Sequence, residues 1–238
     1  MTDATLRDRL GIVPTGRTPR SAQTRRRILD AAANVFEASG FAAASMDEIA
    51  LASSVTKATI YYHFDGKEAL YCSICLEHAE RSNQFVDAVT TSSLMPSEKV
   101  IELIWNVTAG VVHEKTIRLL WDHHADLSPE VREVVRNSQH HYLDALAEHI
   151  RAARDEAGAP ADDASVMALA AFESIGRTIR WFQPRGRLSA EEVGTIVVRM
   201  FLRAVLPAGA DEDFNRLLES SDEGFFPRRF SLIMAAEE

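Results

Sequence analysis

Helix-start signals recur along this chain, whereas the alternating pattern of a β-strand is almost absent. Three segments have the capping-box pattern, in which a side chain and a glutamate satisfy free amides at a helix start: 45–48, 65–68 and 189–192. A further start is indicated by Ser128 before Pro129, because proline is tolerated at the first helical position. The chain is therefore predicted to be all-α.

The first seventy residues predict four helices joined by short turns. Apolar residues recur at helical spacing from Thr24 to Gly40, where glycine ends the first helix. A short second helix starts at Ser45, a third is capped by Thr56, and a long fourth begins at Lys67. Three short helices before a long one are typical of a helix-turn-helix, whose second helix enters the DNA major groove.

The remainder of the chain predicts a larger helical domain. The predicted helices cover 67–88, 97–113, 116–126, 129–157, 162–182 and 190–205, with one short helix near 214–218. We therefore expect a flexible arm over 1–20, a helix-turn-helix DNA-binding domain over 21–70, a ligand-binding and dimerisation domain over 71–206, and a C-terminal extension over 207–238.

Charge is divided unevenly between these parts. Residues 1–70 carry nine Arg and Lys against eight Asp and Glu, whereas residues 71–238 carry seventeen against twenty-seven. Within the first part, the arginines between 17 and 27 form a stretch without any acid, which suits contact with phosphates. A solvated tail is the alternative interpretation of this stretch.

Composition excludes several classes of protein. No run of about 18 uncharged apolar residues occurs, so a membrane span is not expected. The N-terminal residues lack the apolar stretch of a signal peptide, and two cysteines are too few for a secreted disulfide framework. A cytoplasmic protein with no cofactor and no membrane partner is the expectation.

The third predicted helix has an unusual outward face. Lys57, Ala58, Tyr61 and Tyr62 share one side of it, and the apolar residues between them point elsewhere. A cation, a small residue and two phenols can bond phosphates and contact base edges. Simple packing of the tyrosines is the alternative.

Residues 32–70 resemble the DNA-binding domain of the TetR family of one-component transcriptional repressors. The resemblance includes the Gly-Phe after helix one, Asp-Glu-Ile-Ala of helix two, Thr-Lys-Ala-Thr-Ile-Tyr-Tyr-His-Phe of the recognition helix, and Lys-Glu-Ala-Leu of helix four. One departure is Ser54, which stands where the family usually has a turn glycine. The serine must adopt a left-handed conformation or the turn must differ slightly.

The resemblance implies a set of DNA contacts. Lys57 and Tyr61 are assigned to base edges, while Tyr62, His63 and Lys67 are assigned to phosphates. A packed ring is the alternative role for His63. The full set is Arg25, Arg26, Ser45, Thr56, Lys57, Ala58, Tyr61, Tyr62, His63 and Lys67, with Arg27 beside the two arginines.

The resemblance also implies a dimer, because the last two helices of each subunit in this family resemble a four-helix dimer bundle. The helix over 190–205 carries an apolar stripe suited to a two-fold interface: Val193, Ile196, Val197, Met200 and Phe201. The preceding helix is apolar on two sides, with Leu169 on one and Met167 on the other. A monomeric core is the alternative.

The segment 180–189 is similar to a loop in TetR-type regulators that respond to acyl-CoA thioesters. The effector is accordingly expected to be a small molecule with an apolar body and an anionic end, for which Arg177 or Arg180 is a candidate partner. Candidate ligand-binding residues are Phe85, Trp105, His113, Leu120, Trp121, His124, Tyr142, Phe172, Arg177 and Trp181. Plain core packing is the alternative for each aromatic residue.

Two other groups of residues suggest different chemistry. Cys72 and Cys75 form a C-x-x-C within a predicted helix, without a second pair that would complete a zinc site. The histidines at 113, 123, 124, 140, 141 and 149, with Asp122 and Asp126, lack the spacing of a strong metal site, so no metal is predicted.

The leading hypothesis is a homodimeric repressor that binds a pseudo-palindromic operator and is released when a small molecule, with an acyl-CoA thioester as the candidate, fills the C-terminal domain. The helix from Lys67 is expected to act as the lever. The rival hypothesis is an all-helical metal-dependent enzyme built on the His/Asp cluster, and it would require stoichiometric metal and turnover.

Overall fold

The computed structural model describes residues 18–113, 127–160, 163–183, 186–207 and 209–219. Within these ranges the regular structure is helical and contains no β-strand, which confirms the all-α prediction. The helices are α1 (Pro19–Ala43), α2 (Met46–Ser53), α3 (Lys57–His63), α4 (Lys67–Thr91), α5 (Pro96–His113), α6 (Pro129–Glu156), α7 (Ala164–Gly176), a 3-10 turn (Arg177–Arg180), α8 (Ala190–Val205) and α9 (Ala210–Glu219).

Local capping explains most of the helix boundaries. The predicted bounds of α8 are correct, because Ser189 and Glu192 form the expected capping box. Helix α1 begins earlier than the periodicity indicated, because Thr18 caps it and Pro19 occupies the first position. Gly40 leaves the helical conformation with φ 77° and ψ 160°, as its predicted role at a helix end requires.

Two of the predicted helices differ in length from the observed ones. The helix predicted over 162–182 ends at Gly176, where the chain tightens into the 3-10 turn. Residues 210–219 form a longer helix than the short one expected near Phe214. The helix predicted over 116–126 lies outside the described residues.

The chain divides into two compact units, one of residues 1–81 and 115–138 and the other of residues 82–114 and 139–238. The functional domain boundaries expected at 70 and 206 stay predictions. In the first unit, the buried core includes Leu127, just before α6, and Val131 in the first turn of α6, as well as residues of α1 to α4. Sequence periodicity gave no sign of this distant contribution.

Aromatic packing fixes the core of the first unit. The rings of Phe36 and Tyr71 lie 5.6 Å apart, and those of Phe41 and Tyr71 lie 5.0 Å apart, measured between centroids. Ile28, Ile49 and several neighbouring apolar side chains are fully buried around them. Because α1, α2 and α4 all contribute, the short helices are held as one body.

The second unit is built around α5, which packs against α7, α8 and α9. On one side Trp105 and Phe214 have ring centroids 5.6 Å apart, so α9 is part of this unit. Elsewhere Tyr142 of α6 lies 5.6 Å from Phe172 of α7. Among the described residues, no helix combines the length and apolar character needed to cross a membrane.

Candidate nucleic-acid interface and ligand site

The turn between α2 and α3 is specified by its own residues. Ser45 and Glu48 form a reciprocal capping box at the start of α2, where the Ser45 Oγ accepts from the Glu48 amide at 3.2 Å. Ser54 adopts a left-handed conformation with φ 53° and ψ 41°. Thr56 Oγ1 then accepts the Thr59 amide at 3.1 Å and starts α3. Ser54 therefore adopts the left-handed conformation that glycine usually adopts in this turn, and the turn itself is unchanged.

Helix α3 separates an inner from an outer face. Ile60 and, just after the helix, Phe64 are fully buried. Tyr61 and Tyr62 are 49% and 69% exposed, and both Lys57 and Ala58 are also exposed. The predicted outward face is therefore available to a ligand as large as DNA.

A carboxylate stands beside the cation of this face. Lys57 Nζ donates to Asp47 Oδ2 at 2.9 Å, which joins the first turn of α3 to the first turn of α2. The hydrogen bond to Asp47 raises the pKa of Lys57, so the lysine stays protonated at neutral pH. The helical spacing indicates the lysine, but its partner lies ten positions away on another helix and leaves no sign in that pattern.

His63 and Arg25, both predicted to contact phosphates, are buried in the first unit. The His63 ring is buried against Tyr62 at a centroid distance of 5.1 Å, and burial together with the nearby Arg25 lowers its pKa. A buried, neutral ring does not attract a phosphate. These contacts favour the packed-ring alternative for His63, and its phosphate contact stays a prediction.

Arg25 is buried because its guanidinium pairs with Glu77 of α4 and lies 5.1 Å from the centroid of the Phe64 ring. The charge of Arg25 is thus compensated within its own unit, and its expected approach to the DNA backbone stays a prediction that this pairing makes less favourable. Arg26 and Arg27 are exposed on the same helix and remain candidates.

Lys67 is also committed within the first unit. Its Nζ donates to the carbonyls of Ala42 and Ala44 at 3.0 and 2.9 Å and lies 4.8 Å from the Phe41 ring centroid. The lysine thereby ties the start of α4 to the residues that end α1. Two of its three N–H donors are thus used within the unit, and its expected phosphate contact stays a prediction.

The predicted ligand residues fall into three groups. Phe85, Trp105, Tyr142 and Phe172 are buried within the second unit. Trp181 is 59% exposed, and Arg177 is also exposed. Contrary to expectation, neither side chain is buried with the four aromatic residues. Three candidates, Leu120, Trp121 and His124, lie outside the described residues, as does the side chain of His113.

Polar groups accompany these buried aromatics. Tyr142 Oη donates to the Leu103 carbonyl at 2.5 Å and lies 3.3 Å from Asn106 Oδ1. Loss of solvent strongly raises the pKa of Tyr142, so the phenol stays neutral. The buried hydroxyl is thus hydrogen-bonded within an apolar surrounding, as a buried polar group requires.

Helix α9 also contributes to this region, which was not predicted from the sequence. Phe214 is fully buried and is covered by the Arg199 guanidinium, 5.2 Å from its ring centroid. Arg199 also donates to Asn215 Oδ1 at 2.6 Å. The strongly amphipathic pattern of residues 210–219 could have predicted that this helix packs against the rest of the unit.

The predicted dimer stripe is divided between two faces of α8. Val193 and Val197 are buried in their own unit, while Ile196 and Met200 are each 55% exposed and Phe201 is half-buried. Two of the five residues are thus covered within the unit, and of the predicted interface Ile196 and Met200 stay exposed to a partner. On α7, Val166 and Leu169 are exposed, whereas Met167 is half-buried.

The remaining reactive side chains have structural surroundings. Cys72 and Cys75 are buried, and burial raises the pKa of Cys72 to about 11 and that of Cys75 further. Such thiols are poor nucleophiles near neutral pH. Within the described ranges, no three His, Cys, Asp or Glu residues are grouped to hold a metal. His123 and Asp126 lie outside those ranges.

Comparison with known protein families gives two matches. Residues 28–74 match the family described as "Bacterial regulatory proteins, tetR family". Residues 93–205 match "Tetracyclin repressor-like, C-terminal domain". The matches include the capped helix-turn-helix and most of the second unit.

Individual proteins show the same relation. The chain is 44% identical over 59 residues to the transcriptional regulator UidR of Escherichia coli K12, which covers 25% of this chain and 30% of that protein. It is 23% identical over 206 residues to the transcriptional repressor KstR2 of Mycolicibacterium smegmatis, covering 82% and 97% of the two chains. The chain thus matches about a third of UidR and nearly all of KstR2.

A solved structure of AibR in complex with isovaleryl coenzyme A and operator DNA is similar to this chain. The TM-score is 0.65 with 27% identity, covering 74% of this chain and 97% of AibR. These relatives are transcription regulators, so the rival hypothesis of a metal-dependent enzyme is wrong.

Proposed function

The chain belongs to the TetR family of DNA-binding transcriptional regulators, and we propose that it is a ligand-responsive repressor that binds a pseudo-palindromic operator as a homodimer. The observation that carries the proposal is the outward face of α3, with Lys57, Tyr61 and Tyr62 exposed over a buried apolar side. A helix of this kind presents its residues to base edges in the major groove. A DNA partner also implies a cytoplasmic location.

The helix-turn-helix has a rigid support suited to this role. Its two short helices are capped by Ser45 and Thr56 side chains, and Ile60 anchors α3 in the core. Base readout requires side chains held within a fraction of an ångström, which such a buried anchor favours. Arg26 and Arg27, exposed on α1, are proposed to contact the phosphate backbone.

We propose a second copy of the chain as the partner of the exposed apolar residues on α7 and α8. Val166, Leu169, Ile196 and Met200 are each about half exposed or more, which is unfavourable for a cluster of large apolar side chains in water. A two-fold axis would bury each of them twice per dimer. The dimer then holds two recognition helices for two half-sites about one helical turn apart.

An acyl-CoA thioester is the proposed effector. AibR, at 27% identity, is described with isovaleryl coenzyme A and operator DNA, which supports this class of ligand. The buried aromatics Trp105, Tyr142 and Phe172 suit an apolar acyl chain, and the exposed Arg177 and Arg180 are the cations proposed for the anionic end.

Release of DNA requires more than tight effector binding. A shift from mostly bound to mostly released needs a difference of about 5 kcal/mol between the effector's affinities for the two conformations. We propose that the effector favours a conformation with wrongly spaced recognition helices. Helix α4, whose residues belong to both units, is the proposed lever.

The proposed function is tested by titrating the protein–operator complex with acyl-CoA thioesters of increasing chain length, free acids, coenzyme A and planar cationic drugs. Tryptophan fluorescence reports binding, because Trp105 is buried in the second unit. Release by thioesters, and not by coenzyme A alone, supports the proposed effector. Release by the cationic drugs and by no thioester would contradict the acyl-CoA assignment while leaving repression intact.

A further inference from the structure

An acidic side chain lies on the outer side of the helix-turn-helix, next to the cation assigned to base edges. Asp47 Oδ2 accepts from Lys57 Nζ at 2.9 Å, and the two side chains are 77% and 46% exposed. The two residues are separated by ten positions and belong to different helices. The ion pair therefore spans α2 and α3 at the face proposed to meet DNA.

Fold stability gives no adequate reason for this pair. An exposed lysine–carboxylate pair contributes little to stability, because water and salt screen it. A carboxylate in the first turn favours the helix dipole, yet Glu48 already caps α2 through its contact with Ser45. A carboxylate beside DNA also costs affinity by repelling phosphates.

We propose that Asp47 is a specificity-determining residue for DNA recognition, because it holds Lys57 away from phosphates and directs its remaining N–H groups to base edges. This inference rests on the proposed operator binding. An ammonium has three N–H donors, of which one goes to Asp47 and two stay available. A guanine offers O6 and N7 as acceptors for such donors.

The Asp47–Lys57 ion pair affects binding to mixed-sequence DNA and binding to the operator differently. On mixed-sequence DNA, a lysine that is neutralised by Asp47 displaces no counterion and adds little affinity. On the operator, the oriented lysine gains a base-edge hydrogen bond that mixed DNA does not offer at that position. Asp47 therefore lowers binding to mixed-sequence DNA and leaves operator binding unchanged or stronger.

The test compares wild-type protein with Asp47→Asn, which keeps the size of the side chain and removes its charge. The probes are a duplex enriched from a random-sequence pool by the wild-type protein and a mixed-sequence duplex of equal length. Asp30→Asn is the matched control, because Asp30 is exposed on α1 of the same unit. The same substitutions are repeated in a Lys57→Ala background.

For Asp47→Asn we expect affinity for the mixed duplex to rise about fivefold, with little change or a fall on the enriched duplex. The slope of log affinity against log salt on mixed DNA should steepen by about one per subunit, since one more phosphate is neutralised. Asp30→Asn should change neither quantity, and the effect of Asp47→Asn should disappear in the Lys57→Ala background.

Thermal unfolding of each variant separates recognition from a structural role. Equal melting temperatures with the expected change in specificity support the inference. An unchanged ratio of the two affinities in Asp47→Asn, or the same change with and without Lys57, would overturn it. Failure of the wild-type chain to enrich any duplex would contradict the proposed function itself. That failure is distinguishable from a failure of the inference about Asp47, because it is observed before any variant is measured.

Discussion

The guanidinium of Arg25 in α1 pairs with the carboxylate of Glu77 in α4, and both residues belong to the first unit. The same guanidinium lies 5.1 Å from the centroid of the fully buried Phe64 ring, directly after α3. One arginine thus joins the helices that flank the recognition helix to the end of that helix. These contacts indicate that Arg25 supports the end of α3, whereas its neighbour Arg26 is exposed to solvent.

Arg25→Ala should therefore affect stability, whereas Arg26→Ala should affect DNA binding. Arg25→Ala is expected to lower the free energy of unfolding by about 2 kcal/mol, because it leaves the Glu77 carboxylate without its ion-pair partner. Arg26→Ala should leave stability unchanged and reduce the salt dependence of DNA binding by about one phosphate per subunit. Urea unfolding and salt titrations measure the two effects. Equal behaviour of the variants would contradict this division of roles.

Lys57→Ala and Tyr61→Ala should reduce discrimination between an operator and mixed-sequence DNA. Each loses a side chain assigned to base edges, which typically costs about 1–3 kcal/mol on the specific sequence. Lys67→Ala provides the contrast, because Lys67 bonds the carbonyls of Ala42 and Ala44 and should mainly lower the melting temperature. Fluorescence anisotropy with both duplexes separates the outcomes. Unchanged specificity in both α3 variants would remove the recognition-helix assignment.

Ile196→Glu and Val197→Glu test the proposed dimer face from adjacent positions. Ile196 is 55% exposed and Val197 is 5% exposed. Ile196→Glu should give folded monomers that no longer bind an operator, whereas Val197→Glu should destabilise the subunit by several kcal/mol, about 3 or more, because a charge enters its core. Sedimentation and circular dichroism measure these properties. A stable dimer of the Ile196 variant would place the interface elsewhere.

Acid should destabilise the first unit through His78. Burial, reinforced by the charge of Arg81, lowers the pKa of His78 to about 4 from its ordinary 6.5. The neutral folded form is favoured above pH 6.5, and this stability is lost as the pH falls toward 4, at about 1.4 kcal/mol per pH unit. His78→Gln should flatten the dependence of unfolding free energy on pH in that window, with His140→Gln, exposed on α6, as the control. Parallel curves for wild type and His78→Gln would refute this assignment.

Local features of the fold were predictable because their interactions are close in sequence. The caps at Ser45, Thr56 and Ser189 each bond an amide three residues away, so the helix starts follow from short motifs. The outward face of α3 likewise follows from helical spacing. At Ser54 the local sequence did not decide the outcome, since both a left-handed serine and a slightly different turn were compatible with it.

The unpredicted contacts are those in which a side chain meets a distant partner. Arg25 and Glu77 are 52 positions apart, and Lys67 is 25 positions from Ala42, so a count of exposed charges could not detect their pairing. The apolar pattern of α8 could not reveal which part of a broad surface its own unit covers. Composition has no means of assigning Val197 to a core and Ile196 to solvent.

Selection of duplexes from a random-sequence pool by the wild-type protein tests the central claim most directly. Enrichment of a pseudo-palindrome with half-sites centred about one helical turn apart, bound by two chains, is the predicted result. Binding stoichiometry comes from sedimentation of the complex at a salt concentration that suppresses non-specific binding. A pool that stays random after repeated rounds, or enrichment of a single asymmetric site bound by one chain, would contradict the account of a dimeric operator-binding regulator.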